Sequence, residues 1–383
     1  MAFIHKNLGK ILISILLFTF YFVLGKLVQI NNISTDYQLH TEYIQRINSG
    51  NAQYPGVFLL YLLVNIFSLF SHDKEVLMST LILIISIAFA FRSYLTFGYF
   101  EDIANTKTKS FFTLLLAIYF PISMVYFYNP QYYYFGSFSP NVFHNSTITL
   151  VFPFTLLIFF LQLQYWEKPN SKTLALLTSV LVLSLFIKPS FFFVYLAVTP
   201  LFSLAKFKIS RTLFHSMVPI FAGIGVMVLQ TILIYVLNQG SFYEGKSGIA
   251  FKPFAYWTIV FPTFMFPISM LGSYLFVGVY LLFALCKKPS IEILYCSAMV
   301  IVSILIFALV IETGPRMNHG NFYWQVVPAY YLLLIVVVKD WIIRYKAKTI
   351  PFIFSCVLFL LFLAHAGSGF FYLYRFFILK SYS

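Results

Sequence analysis

Charge is what this sequence has least of. Asp, Glu, Lys and Arg make up 9% of its 383 residues, against 61% hydrophobic ones, whereas a soluble domain carries about a quarter charged residues. That excludes a soluble globular domain over most of the chain. Acidic residues are the scarcest, 11 against 25 basic, for a net charge of +14. The basic residues fall in short clusters between apolar runs and not on one tail or face, so the surplus sets membrane topology and does not bind nucleic acid. Cysteine is nearly missing. Cys286, Cys296 and Cys356 have no paired spacing, which excludes a disulfide framework or a cysteine metal site. Segments alternating apolar and polar residues are absent too, and a membrane β-barrel with them.

What the chain does have is apolar runs, repeated along its whole length, of the size that crosses a hydrocarbon core of about 30 Å as a helix. They predict an all-α polytopic membrane protein, one transmembrane domain over 1–383, with about eleven membrane helices. The expected spans are 11–30, 76–97, 111–128, 147–165, 173–188, 191–205, 213–237, 262–285, 291–311, 323–338 and 350–370. No small-residue cleavage site follows the first, which reads as a helix that stays in the membrane. The run Pro55–Phe70 is left out as an interfacial helix. On that choice Lys6, Lys10, Lys107, Lys109, Lys168, Lys172, Lys206, Lys208, Arg211, Lys287, Lys288, Lys339, Arg344, Lys346 and Lys348 all reach the cytoplasmic side. Counting it as a span would invert everything after it.

The unusual polar residues gather on the other side. The first outer loop, 32–75, carries Asp36, His40, Glu42 and Arg46. Asp36 and His40, four apart, share a face if the stretch is helical. A carboxylate there can accept a proton from a nucleophilic hydroxyl or hold a divalent ion, and an imidazole can position it; the alternative is a solvated acid without a role. Glu42 and Arg46 have the spacing of a surface pair, usually worth under about 1 kcal/mol. Before the fourth span, Asn145 or Ser146 can cap the helix, or His144 and Asn145 can hydrogen-bond a sugar or diphosphate at its start. Lys188, at the outer face without an acidic neighbour in sequence, reads as a lipid-phosphate contact or as a snorkelling side chain. The densest set runs from Glu312 to Trp324. Arg316 and His319 form a phosphate clamp, Asn321 precedes the next helix, and Glu312 either orients Arg316 or pairs with it as a structural salt bridge. Arg92 and His365 are the ionisable residues at mid-span.

The order of first helix, outer loop with an acid, surface helix near a proline and then the next span resembles the GT-C superfamily of integral-membrane glycosyltransferases. The stretch that carries the resemblance is TDYQLHTEYIQRINSGNAQYPGVFLLYLL; SPNVFHNST, FIKPSFFF and ETGPRMNHGNFYW resemble motifs of bacterial envelope-polysaccharide membrane proteins. The Asp-Asp or Glu-x-Asp doublet of several branches is absent. The resemblance implies a bacterial inner-membrane enzyme with its site on the periplasmic or extracellular side. It would move a sugar or oligosaccharide from a polyprenyl phosphate or diphosphate donor to a glycan or glycolipid acceptor. Asp36 would be the catalytic carboxylate with His40 beside it, and the only candidate holder of a divalent cation. Arg316, His319, Lys188 and Glu312 would form the donor-phosphate side, and His144, Asn145 and Asn321 would contact substrate. A repeat-unit polymerase for O-antigen or capsule fits the same features. A lipid-linked sugar flippase would need polar groups spread through the membrane depth. Internal repeats, common in secondary transporters, are absent.

Overall fold

Short polar residues start seven of the fifteen α-helices in the computed structural model, which describes residues 2–33, 35–127, 129, 134, 137–236, 248–260, 263–314, 317, 320–378 and 380. After α1 (Ala2–Ile30), Thr35 and Gln38 form a reciprocal capping box for α2 (Asp36–Asn48). A short helix, α3 (Leu59–Phe67), leads to Asp73, whose carboxylate accepts from the first amides of α4 (Lys74–Tyr99). Asn105, Asn145 and Asn170 cap α5 (Thr106–Ile118), α6 (Ser146–Glu167) and α7 (Ser171–Ile187). Then follow α8 (Ser190–Phe207), the Ser210-capped α9 (Arg211–Ser216), α10 (Val218–Thr231), strand β1 (Gly248–Phe251), α11 (Ala255–Val260) and α12 (Phe266–Leu285). Ser290 caps α13 (Ile291–Leu309); strand β2 (Val310–Thr313), α14 (Val326–Lys346) and α15 (Phe352–Ile378) complete the order. Each cap satisfies helix-start amides that otherwise lack partners, for about 1 kcal/mol.

Among the described residues nine helices are long and apolar enough to cross a membrane: 7–30, 74–99, 146–167, 190–207, 211–231, 266–285, 291–309, 326–346 and 352–378. The chain is an all-α protein of polytopic membrane type. Its centre is α6 and α14, apolar on every side and mostly buried, while α10 turns most of its surface outward. Two expected spans come out shorter. α7 has 17 residues, and the span expected over 111–128 is broken: α5 stops at Ile118, residues 119–123 form neither helix nor strand, and a 3₁₀ turn covers Met124–Phe127. Pro121 disfavours helix at the residue before it and removes a donor.

The freed backbone groups of this break are satisfied inside the protein, as membrane depth requires. Asn141 Nδ2 donates to the carbonyls of Leu116 and Tyr119 at 2.9 and 2.7 Å. Phe120 N donates to His365 O at 3.2 Å and Ile122 N to Gly272 O at 3.1 Å. The backbones come this close because residues 272 and 369 are glycines: a Cβ on either would run into a carbonyl oxygen, of Ile122 or Ile118.

The basic clusters lie together at one end of the bundle. There Lys346 Nζ donates to Ile103 O at 2.6 Å, Arg344 reaches the carbonyls of Lys287 and Lys288, and Lys339 pairs with Glu292 at 3.7 Å. α3, nine residues long, stays at the opposite end with α2 and the start of α4. A two-stranded antiparallel pair, Gly248 opposite Thr313 to Phe251 opposite Val310, is an element that the sequence pattern does not announce.

Candidate functional site

Two helix starts meet at the end of the bundle away from the basic clusters. Asp36, the first residue of α2, presents its carboxylate to the first amide of α6, and Ser146 N donates to its Oδ1 and Oδ2 at 3.1 and 3.3 Å. Asp36 N in turn donates to His144 O at 3.4 Å. The dipoles of both helices favour negative charge at this point. Below the carboxylate the Tyr37 hydroxyl donates to Phe143 O at 2.5 Å and meets the Tyr21 hydroxyl at 3.1 Å, which lies 3.0 Å from Thr149 Oγ1. This buried hydroxyl group fixes α1, α2 and α6 to one another.

His40 lies one turn further along α2. Its Nδ1 is 2.8 Å from the Tyr61 hydroxyl of α3, and its Nε2 is 3.6 Å from Asp36 Oδ2. With the Tyr61 hydroxyl donating to Nδ1, the Nε2 proton faces the carboxylate. The Asp36 and His40 side chains keep 20% and 14% of their surface, so a substrate hydroxyl can reach them. Burial raises the Tyr61 pKa, and the Tyr43 and Asp36 charges add to the effect, so Tyr61 remains a neutral donor.

Lys188, between α7 and α8, donates to Thr147 Oγ1 at 3.0 Å and lies 5.4 Å from the centre of the Trp324 ring. The first turn of α6 therefore holds a carboxylate at Ser146 and an ammonium at Thr147. His144 is buried beside them, edge-on to Tyr134 and Trp324 at 4.7 and 6.0 Å between ring centres, with Nδ1 3.5 Å from the Tyr372 hydroxyl. Burial lowers its pKa to about 4, against the opposing pull of the Asp36 charge, so its imidazole is uncharged near neutral pH. Asn145 is the N-cap of α6, its Oδ1 accepting from Ile148 N at 2.9 Å. The site is recessed. From the level where the Tyr99 and Phe160 rings stack, α4 rises about 37 Å to Lys74 but α6 only about 21 Å to Ser146.

The structure thus brings Asp36, His40, His144, Asn145 and Lys188 together. Asn321 donates to the Glu312 carboxylate in a separate cleft two residues from Trp324. Glu312 belongs to β2 and not to the end of a long helix. Arg316 and His319 lie outside the described residues. Glu42 pairs with Lys74 at 2.8 Å and not with Arg46 as their spacing suggested: α2 packs along α4, which places Lys74 within reach. Tyr61, Thr147, Trp324 and Tyr372 were missed as partners of the site, because their signal is a tertiary contact and their residue types are ordinary at a membrane boundary.

Comparison of the chain with models of known protein families, and with curated proteins, finds no match. The chemistry therefore follows from the geometry. One carboxylate and a neighbouring imidazole can remove a proton from a hydroxyl, and the ammonium can stabilise negative charge developing on a leaving group. A divalent cation fits this donor set poorly. Among the described residues no three His, Cys, Asp or Glu side chains come together, and Asp36 directs both oxygens at an amide.

Proposed function

We propose that the protein is a glycosyltransferase of the GT-C type in a bacterial inner membrane. In this reading α5 and α7 also cross, making eleven membrane helices with α2 and α3 at the outer surface, and the Asp36 recess opens to the periplasmic or extracellular side. The observation that carries it is the first turn of α6, which holds Asp36 on Ser146 N and Lys188 on Thr147 Oγ1. Transfer of a sugar from a polyprenyl-linked donor needs a base and a fixed cation within one substrate length of each other.

In the reaction, an acceptor glycan or glycolipid hydroxyl gives its proton to the Asp36 carboxylate. Its oxygen forms a bond to the anomeric carbon as the bond from that carbon to the phosphate oxygen breaks, with inversion. His40, held by Tyr61, orients the carboxylate. Lys188 takes up the charge of the departing lipid phosphate; Arg316 and His319 are assigned to the same task from sequence. The Trp324 ring beside Lys188 lowers local solvation and strengthens that interaction. Arg92, packed over the rings of Phe89, Phe152 and Tyr331, and His365, bonded to Phe120 O, are enclosed in packed protein, which favours transfer over flipping.

The test is Asp36→Asn, which keeps an oxygen on Ser146 N and removes only the charge. In a deletion strain, complementation with the variant should leave lipid-linked intermediates accumulating and surface glycan lacking one sugar, with the protein present at wild-type level. If the missing unit is instead the whole polymer beyond a single repeat, the enzyme is a repeat-unit polymerase. Full restoration of surface glycan by Asp36→Asn would rule the mechanism out.

A further inference from the structure

At the basic end of the bundle Lys339 and Arg344 are paired with acids, Glu292 and Asp340, at 3.7 and 2.7 Å. Five other cations there are not. Lys168, Lys172, Lys206, Lys208 and Arg211 are exposed and form no ion pair among the described residues. Acids are scarce around them, since none occurs between Glu167 and Glu244. The fold gathers the five. Where α6 and α8 end, Trp166 Nε1 donates to Ser203 Oγ at 3.0 Å and the Tyr165 ring stands edge-on to Phe207 at 6.2 Å, so Lys168 emerges beside Lys206 and Lys208. Asn170 caps α7 by accepting from Thr173 N at 2.8 Å, which sets Lys172 in its first turn; Ser210 does the same for Arg211 in α9. Lys208 is strained: its φ of +52 and ψ of −163 lie in a region that suits glycine and few other residues.

The cations head an apolar face. Arg211, Phe214, Val218, Phe221 and Val228 follow one another at steps of three, four, three and seven, and Met217 between α9 and α10 keeps helical dihedrals, so they share one side. The four apolar members are exposed, and Gly225 on the same side faces open space, leaving a notch in the stripe.

We infer that this rim binds an anionic phospholipid, with its phosphate on Lys206, Lys208 and Arg211 and an acyl chain along α10. A soluble anion or an acidic protein would match the charges and leave the stripe uncovered; a phospholipid matches both. α10 buries little of its own surface. At its far end Gln230 Nε2 donates to Gly56 O and Leu185 O at 3.1 and 2.8 Å. A lipid seated on its basic end braces the helix that holds the turn before α3. The inference is independent of the glycosyl-transfer reading.

The experiment is a native mass spectrometry titration of the full chain in detergent with dioleoyl phosphatidylglycerol and, separately, dioleoyl phosphatidylcholine. Cations at a membrane surface are each worth about fivefold towards an anionic headgroup, so phosphatidylglycerol should bind at least tenfold tighter. The triple variant Lys206→Gln, Lys208→Gly, Arg211→Gln should bring the two lipids within about twofold. Lys287→Gln with Lys288→Gly and Lys348→Gln, the same charge change at the same end outside the rim, should keep the preference. Glycerophosphoglycerol, the headgroup without its chains, should not compete. The triple variant should unfold no earlier than the wild type in phosphatidylcholine nanodiscs, because glycine suits the backbone at 208. If it does unfold earlier, Lys208→Gly alone replaces it, with about a fivefold loss expected. Equal binding of the two lipids, a preference that survives in the folded rim variant, or a preference lost equally in the control variant would overturn the inference. So would competition by the free headgroup, which would make the rim a site for a soluble phosphate.

Discussion

His144 shows how little of a residue's role is contained in its type. In sequence it is a histidine at a helix start, suited to an anion. In the fold its carbonyl accepts from Asp36 N, and its ring is enclosed by Tyr134, Trp324 and Tyr372. Burial brings its pKa to about 4 from 6.5. A base depressed in the folded state contributes stability above its unfolded value, and that contribution is lost as pH falls from about 6.5 towards 4. At pH 5 the loss amounts to about 2 kcal/mol, so the unfolding temperature in nanodiscs should drop between pH 7 and 5. His144→Gln should make that slope shallower, and a wild-type profile already flat over this window would contradict the assignment. Asp36, His40 and Lys188 are legible in the sequence because each is a charge or a titratable group in a chain that has few. Tyr61 and Thr147, which hold them, are not: a tyrosine or a threonine near a membrane boundary is the commonest of residues, and only the docking of α3 and α7 selects these two.

At the scale of elements, helix starts are legible and the broken helix is not. Asp73, Asn105, Asn145 and Asn170 announce their helices by the local chemistry of a cap. The end of α5 at Ile118 depends on Pro121, but proline is tolerated within membrane helices, as Pro153 in α6 and Pro200 in α8 show. What decides between a tolerated and a breaking proline is whether other groups wait to receive the freed carbonyls. Asn141, 25 residues after Leu116, donates to them, while the carbonyls of Gly272 and His365 accept from the freed amides of Ile122 and Phe120, across a close approach that the glycines of α12 and α15 permit. Gly369→Ala should therefore destabilise the protein by about 1–3 kcal/mol through overpacking against Ile118 O. Gly367→Ala, two residues away on the same helix and facing open space, should leave stability unchanged. Thermal unfolding of the two variants side by side checks this, and equal unfolding temperatures would show that α15 does not approach the break.

The whole molecule has two unlike ends, and the contrast gives it an orientation. At one end Lys10, Lys107, Lys109, Lys168, Lys206, Lys287, Lys339, Arg344 and Lys346 stand on or beside the helix ends, tied across helices by contacts such as Lys346 to Ile103 and Arg344 to Lys287. At the other lies the Asp36 recess. This division is legible in the amino-acid sequence alone, because leaving Pro55–Phe70 out of the membrane is the one choice that puts the basic clusters on one side. The nine-residue α3, resting on α2 through Tyr61 and His40, agrees with it: it is far short of the roughly 20 residues a span requires. In the reading proposed above, the positive-inside rule would put the basic end in the cytoplasm and the recess outside. A dual reporter inserted between Ser71 and Lys74 should give the signal of the outer compartment, and the same reporter between Lys168 and Asn170 the cytoplasmic one. The second insertion is the control that makes the first decisive. If both signals are exchanged, either the segment at 55–70 crosses the membrane, which inverts everything after it, or the whole bundle is upside down. If both report the same side, one of α4, α5 and α6 does not cross, and the eleven-helix topology is wrong.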